Sequence, residues 1–284
     1  MTVFRERRLA GSGGVDLAIR VLDAPGSSGV PVLLVHGLSS NARLWDGVAS
    51  RLAAGGHPVA AVDLRGHGRS AKPETGYDWP TLTEDLLAVV DALGWPQAVV
   101  AGQSFGGNLV VELAGRHPER VAAAVLVDGG TIELQARFAD WPTCEAALSP
   151  PVLDGTTAEQ FENYLRANHP SWPEEGIAAT LGNVEVLADG TIRPWLARRH
   201  HLALLRLLWE HHPSKRWADL KLPVVLVPAE DPNAPDGRFM TSKRHDVALA
   251  ARSLPLGSVH WIAGDHDLHA QHPDQVAAII ADAA

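Results

Sequence analysis

Short runs of apolar residues alternate along this chain with segments whose apolar residues recur at helical spacing. The runs fall at residues 30–35, 59–62, 98–101, 121–127, 222–227 and 258–263. Apolar residues on both faces of so short a run predict buried parallel strands. Residues 15–21 alternate weakly after Gly11-Ser12-Gly13-Gly14, which predicts an N-terminal hairpin. Helical spacing predicts helices over 41–54, stopped by Gly55-Gly56, and over 108–116, 241–254 and 273–283. A further helix is predicted over 81–93, where Thr81-Leu82-Thr83-Glu84 has the form of a capping box and Gly94 the form of a stop. Strands alternating with helices imply an α/β fold, a mostly parallel central sheet flanked by helices on both faces.

The alternation breaks between residues 131 and 216, where no buried strand is evident. Two units are therefore expected. One is a core built from 1–130 and 217–284, and the other a smaller helical lobe at 131–216. The lobe carries Trp141, Trp172, Trp195 and Trp209 with Phe138, Phe161 and Tyr164. Aromatics in a lobe too small to bury them alone either dock it onto the sheet or line a cleft. Trp141, Trp172 and Trp195 are the candidates for contact with a ligand, against the plainer reading that they form the lobe's own core.

Composition changes this picture little. The chain has 284 residues, 46% hydrophobic and 20% charged, as expected of a globular protein with a sizeable core. Its net charge is -9, from 33 acidic and 24 basic residues, without a Lys- or Arg-rich run, so nucleic acid is not an expected partner. The single cysteine, Cys144, excludes an internal disulfide. Arg5, Arg7 and Arg8 are not followed by an apolar stretch, and no uncharged run approaches the ~18 residues of a membrane span. The expectation is a cytoplasmic protein, monomer or homodimer, without membrane insertion.

The sharpest local signal is Gly102-Gln103-Ser104-Phe105-Gly106-Gly107, directly after the run at 98–101. A serine between two glycines, where a strand turns into a helix, has the form of a nucleophile elbow. A side chain at 102 or 106 would clash in so tight a bend. Ser104 at its tip would expose its hydroxyl, with the next backbone N–H, that of Phe105, aimed at the same point. The pentapeptide alone also fits an ordinary glycine-rich turn, so the other strand ends have to decide. A serine hydroxyl needs a base, and the base a carboxylate to hold it. His266 follows the last run in a loop opened by Gly264, with His269 and His272 as rivals further on. Asp231, in Pro228-Ala229-Glu230-Asp231-Pro232-Asn233-Ala234-Pro235, is the first candidate acid, with Glu230 beside it and an Asp-Pro turn as the plainer reading. Asp128, at the end of the run 121–127, is a second candidate, next to the elbow strand in the usual strand order. His36-Gly37-Leu38 follows an early strand, where the Leu38 N–H can serve as a second oxyanion donor and His36 as a brace. Asp63-Leu64-Arg65-Gly66-His67-Gly68-Arg69-Ser70 lacks the endings of a phosphate loop and reads as a hydrogen-bonded structural turn. His266, His269 and His272 lack the spacing and partners of a zinc site, so neither a metal nor a cofactor is expected.

These motifs, in this order, resemble the α/β-hydrolase superfamily over residues 30–130 and 220–284. The resemblance implies a serine-nucleophile, esterase-like hydrolase with a helical cap at 131–216. It favours Asp231 as the acid, because Asp231 and Pro235 match the family's G-x-x-D-x-x-x-P with proline in place of glycine. It favours His266 as the base, since Pro273 follows seven residues later. Ser104 stands where epoxide hydrolases and haloalkane dehalogenases carry aspartate, which sets the chain apart from both. The implied reaction is cleavage of a carboxylic ester, lactone or thioester of a small molecule through an acyl-enzyme. A carbon–carbon bond hydrolase or lyase, or a non-catalytic receptor on the same fold, would use the same residues differently.

Overall fold

The computed structural model describes residues 4–23 and 29–284, so the first three residues of the N-terminal segment lie outside it. β1 (Arg5–Ala10) and β2 (Asp16–Leu22) form the expected antiparallel hairpin. The chain then runs through β3 (Val32–Val35), α1 (Asp46–Ala54), β4 (Val59–Val62), α2 (Trp79–Ala92), β5 (Ala98–Gln103), α3 (Phe105–Arg116) and β6 (Val121–Val127). After β6 come α4 (Trp141–Leu148), α5 (Ala158–Asn168), α6 (Glu174–Thr180), β7 (Val184–Val186), β8 (Ile192–Pro194), α7 (Arg198–Trp209) and α8 (Ser214–Trp217). The last elements are β9 (Val224–Val227), β10 (Ala229–Glu230), α9 (Arg238–Ser253), β11 (Gly257–Val259), β12 (Ile262–Ala263), α10 (Leu268–Gln271) and α11 (Pro273–Asp282).

Eight strands make one sheet in the order β1-β2-β4-β3-β5-β6-β9-β11. β2 is antiparallel to β1 and β4, and every other neighbouring pair is parallel. The apolar runs explain this arrangement. Side chains alternate between faces along a strand, and here both sets are buried. Leu33, Val35, Val100, Leu126 and Leu226 join one core with α2, α3 and α9, while Val32, Leu34, Val99, Val125 and Val227 join the other with α1 and α11. A sheet covered on both faces leaves only its strand ends and edges for chemistry.

Three local expectations are corrected. α2 begins two residues before Thr81, because Asp78 caps it by accepting the Thr81 N–H and Pro80 occupies the first turn, so no Thr81–Glu84 capping box forms. The run 258–263 is two strands, β11 in the main sheet and β12 paired parallel to β10 beyond its end. The segment 131–216 is mainly helical as expected, but β7 and β8 form a short antiparallel hairpin within it.

Candidate active site

The bend between β5 and α3 is tight enough to dictate its own sequence. Ser104 has φ 53° and ψ -119°, a left-handed conformation that costs a non-glycine residue strain. A Cβ on Gly102 would lie 2.3 Å from the Gly106 carbonyl oxygen, and one on Gly106 would lie 2.5 Å from that of Val35. Neither position admits a side chain. Ser104 is nevertheless held firmly, for its N–H donates to Val127 O at 3.0 Å and its carbonyl accepts the Gly107 N–H at 2.9 Å. Phe105 opens α3, and the first N–H groups of a helix have no partner within it.

The loop after β3 lies against this bend. A Cβ on Gly37 would meet Gln103 Oε1 at 2.3 Å and Ser104 Cβ at 3.1 Å, so only glycine brings the backbone of Gly37-Leu38 this close to the serine. His36 fixes the loop from below. Burial lowers its pKa to about 4, so the ring is neutral. Nε2 accepts the Leu64 N–H at 3.0 Å, and Nδ1–H therefore donates to Gly37 O at 2.8 Å. The turn that follows Asp63 is the hydrogen-bonded structure expected of it. Asp63 accepts N–H groups from Ala42 and Arg69, and Arg65 forms a buried ion pair with Asp85 at 2.6 Å.

His266 arrives from beyond β12, with its carbonyl held by Gln103 Nε2 at 3.1 Å. Its Nδ1 meets Asp128 Oδ2 at 2.6 Å. The carboxylate that partners His266 is thus Asp128, and the expectation of Asp231 is corrected. Asp231 instead stands on a half-buried turn, where its Oδ1 accepts the Asn233 N–H at 2.8 Å in an Asx turn, and Glu230 pairs with Arg244. Asp128 is 8% exposed and has φ 41°. Desolvation works against its charge, but the hydrogen bond and charge of His266, together with Lys243, outweigh it and lower its pKa below the usual carboxylate value. An ionised carboxylate only accepts, so His266 Nδ1 carries the proton and Nε2 keeps a lone pair. Desolvation likewise opposes charge on His266, whose side chain stays 51% exposed, yet Asp128 prevails and raises its pKa above the usual 6.5.

Sequence reasoning missed three supports. Asn108, in the first turn of α3, donates to Ile132 O and accepts the Gly130 N–H, both at 2.8 Å, and so clamps the loop that carries Asp128. Gln103 fills the space beneath Gly37, and Lys243 of α9 reaches Asp128. Gly129-Gly130 after a strand end was the available signal, since a Cβ on Gly129 would lie 2.4 Å from the Ser104 carbonyl oxygen. His269 is buried against Trp45 with its pKa lowered to about 3 by burial, which removes it as a rival base. No cluster of potential metal ligands occurs among the described residues.

The three tryptophans part company. Trp172 is buried with Leu44, Leu165, Ile177, Ala179 and Ala270, and its Nε1–H donates to Asp265 Oδ2 at 2.7 Å. Trp141 packs edge-on against Trp209 at 6.2 Å. Trp195 lines a cavity of about 1010 Å³ with Lys72, Leu148, Arg193 and His201. The wall of that cavity reaches the loop after β3 at Ser39, but not Ser104 itself.

A serine at a strained strand-to-helix bend, and a histidine that is held by a buried aspartate and tied through its carbonyl to the residue before that serine, are features of the serine-type sites of one fold class. The chain belongs to the alpha/beta hydrolase fold family, whose model matches residues 30–224. It is 45% identical over 101 residues to a putative non-heme haloperoxidase of Mycobacterium phage D29, a match spanning 36% of each chain. It is 27% identical over 255 residues to Esterase YbfF of Escherichia coli, covering 88% of this chain and 91% of that protein. Among solved structures, that of E-2-(acetamidomethylene)succinate hydrolase superposes with a TM-score of 0.76 over 99% of this chain and 98% of the other, at 26% identity. No helix among the described residues is long and apolar enough to cross a membrane.

Proposed function

We propose that this protein is a serine hydrolase that cleaves a carboxylic ester of a small molecule, a lactone or thioester included, through an acyl-enzyme. The 2.6 Å contact between His266 Nδ1 and Asp128 Oδ2, with the His266 carbonyl held by Gln103, the neighbour of the strained Ser104, carries this reading. Ser104 Oγ attacks the acyl carbon while His266 Nε2 takes its proton. Asp128 stabilises the imidazolium, and the N–H groups of Phe105 and Leu38 hold the oxyanion. The imidazolium then protonates the leaving alcohol. Water, deprotonated by the same nitrogen, releases the acid and restores Ser104. The triad needs neither cofactor nor metal for these steps. Losing one donor of such a hole costs about 10²–10³ in rate.

The segment 131–216 serves in this reading as a cap that selects the substrate, with Trp195 and its cavity as the binding surface. The likeness to an esterase over nearly the whole chain supports the ester class. The test is Ser104→Ala with a fluorophosphonate probe and a p-nitrophenyl ester series of increasing chain length. Labelling and turnover should both vanish, and full activity in that variant refutes the mechanism. Turnover of a vinylogous diketone with no activity on any ester would reassign the triad to carbon–carbon bond cleavage.

A further inference from the structure

The geometry points to Lys243 as a positioning residue of this site: its ammonium locks both oxygens of Asp128 and sets the pH at which His266 becomes a base. The inference rests on the reading of Ser104, His266 and Asp128 as a triad. Lys243 projects from α9, whose next residue, Arg244, goes to Glu230 and the Pro235 carbonyl instead. Its Nζ lies 2.8 Å from Asp128 Oδ1, 2.9 Å from Oδ2 and 3.0 Å from the Ala229 carbonyl oxygen. Two of these are hydrogen bonds, to Oδ2 and to the Ala229 carbonyl, and the Oδ1 contact completes the ion pair. Asp128 Oδ1 also accepts the Ala229 N–H at 2.9 Å, and Oδ2 accepts from His266 Nδ1 at 2.6 Å. Both Lys243 and Asp128 are 8% exposed, and the Phe239 ring lies 5.5 Å from Nζ. A lysine is almost never buried so far unless it is paired. Here the pair is the proposed catalytic acid itself.

The physical consequence follows from charge. Asp128 and His266 share a 2.6 Å hydrogen bond and titrate as a coupled unit. Lys243 places a fixed positive charge against that unit, which makes it harder to add a proton, wherever the proton resides. Among the described residues, Asp128 from the end of β6, Lys243 from α9, Asp267 from its own loop and His269 from α10 bear on His266. Asp128 and Asp267 raise its proton affinity, whereas Lys243 lowers it. The aspartate therefore holds and polarises the imidazole, while the lysine prevents it from becoming so basic that it is protonated at working pH.

The experiment measures the rate of fluorophosphonate labelling at Ser104 against pH in the wild type, Lys243→Met, Lys243→Arg and the double variant Lys243→Met with Asp128→Asn. In Lys243→Met the acid limb should move to higher pH by about 1 unit, the low end of the usual effect of a neighbouring charge, because Lys243 acts on His266 through Asp128. Lys243→Arg, which keeps the charge, should leave the limb within a few tenths of a unit of the wild type. In the Asp128→Asn background, Lys243→Met should move the limb far less. Should the methionine variant not fold, Lys243→Gln gives the same comparison, with a donor in place and the charge gone. A slower Lys243→Met or Lys243→Gln whose limb has not moved overturns the inference and leaves Lys243 as an anchor of α9. A wild type that does not label at Ser104 overturns the hydrolase reading itself and Lys243's part with it.

Discussion

Two neighbouring strand ends are each followed by an aspartate, and Asp128 is the one that meets His266. At the end of β6, Asp128 is buried, strained and fixed by Ala229 N–H, Lys243 and His266. Beyond β9, Asp231 lies half-buried in an Asx turn and spends its Oδ1 on the backbone two residues on. Both follow an apolar strand and both belong to loops on the correct edge of the sheet. What separates them is the surroundings. A carboxylate in a rigid polar cage can hold a ring in one orientation, whereas one that ends a solvent-facing turn cannot.

The largest test of that contrast is activity. Asp128→Asn should lower kcat/KM by about 10⁴, the scale seen when an asparagine in a triad favours the wrong histidine tautomer. Asp231→Asn should stay within about twofold, as surface changes do. A larger loss at Asp231 would invert the comparison. Stability sharpens it next. Gly129→Ala drives a methyl group into the Ser104 backbone and should cost about 1–3 kcal/mol in chemical denaturation, as overpacking does. Asn233→Ala in the other loop should change stability by less than about 0.5 kcal/mol. The smallest effect is in the pH profile. Neutral His266 is the active form and its pKa is raised, so kcat/KM should fall as pH drops through a value above 6.5. Asp128→Asn removes the group that raises it, and the limb of the residual activity should move to lower pH. Asp231→Asn should leave it in place.

Much of this was legible in the chain. The period of the apolar runs names the strands, and the clash that forces glycine at 102 and 106 names Ser104. His266 is marked by its place after the last strand and by Pro273. The acid was harder to read, because local pattern favours Asp231, whose proline-flanked motif is a motif of the turn itself. Asp128 wins through contacts that are remote in sequence, 138 residues away to His266 and 115 to Lys243. No local periodicity encodes such a meeting. Gly129-Gly130 was the nearest trace of it, since those glycines answer to the Ser104 backbone rather than to their own turn. The aromatic residues at 131–216 were equally opaque, because a tryptophan that packs a small core and one that faces a cavity look alike in sequence.

Asp265 stands one residue before His266 and accepts hydrogen bonds from His169 at 3.2 Å and from Trp172 at 2.7 Å, both of which belong to the lobe. The same carboxylate also receives the Asp267 N–H at 3.0 Å, so it grips the peptide on the far side of the base. The segment 131–216 and the backbone flanking His266 are in this way joined through one carboxylate. A tryptophan nearly a hundred residues away in sequence thus helps to hold the backbone on either side of His266.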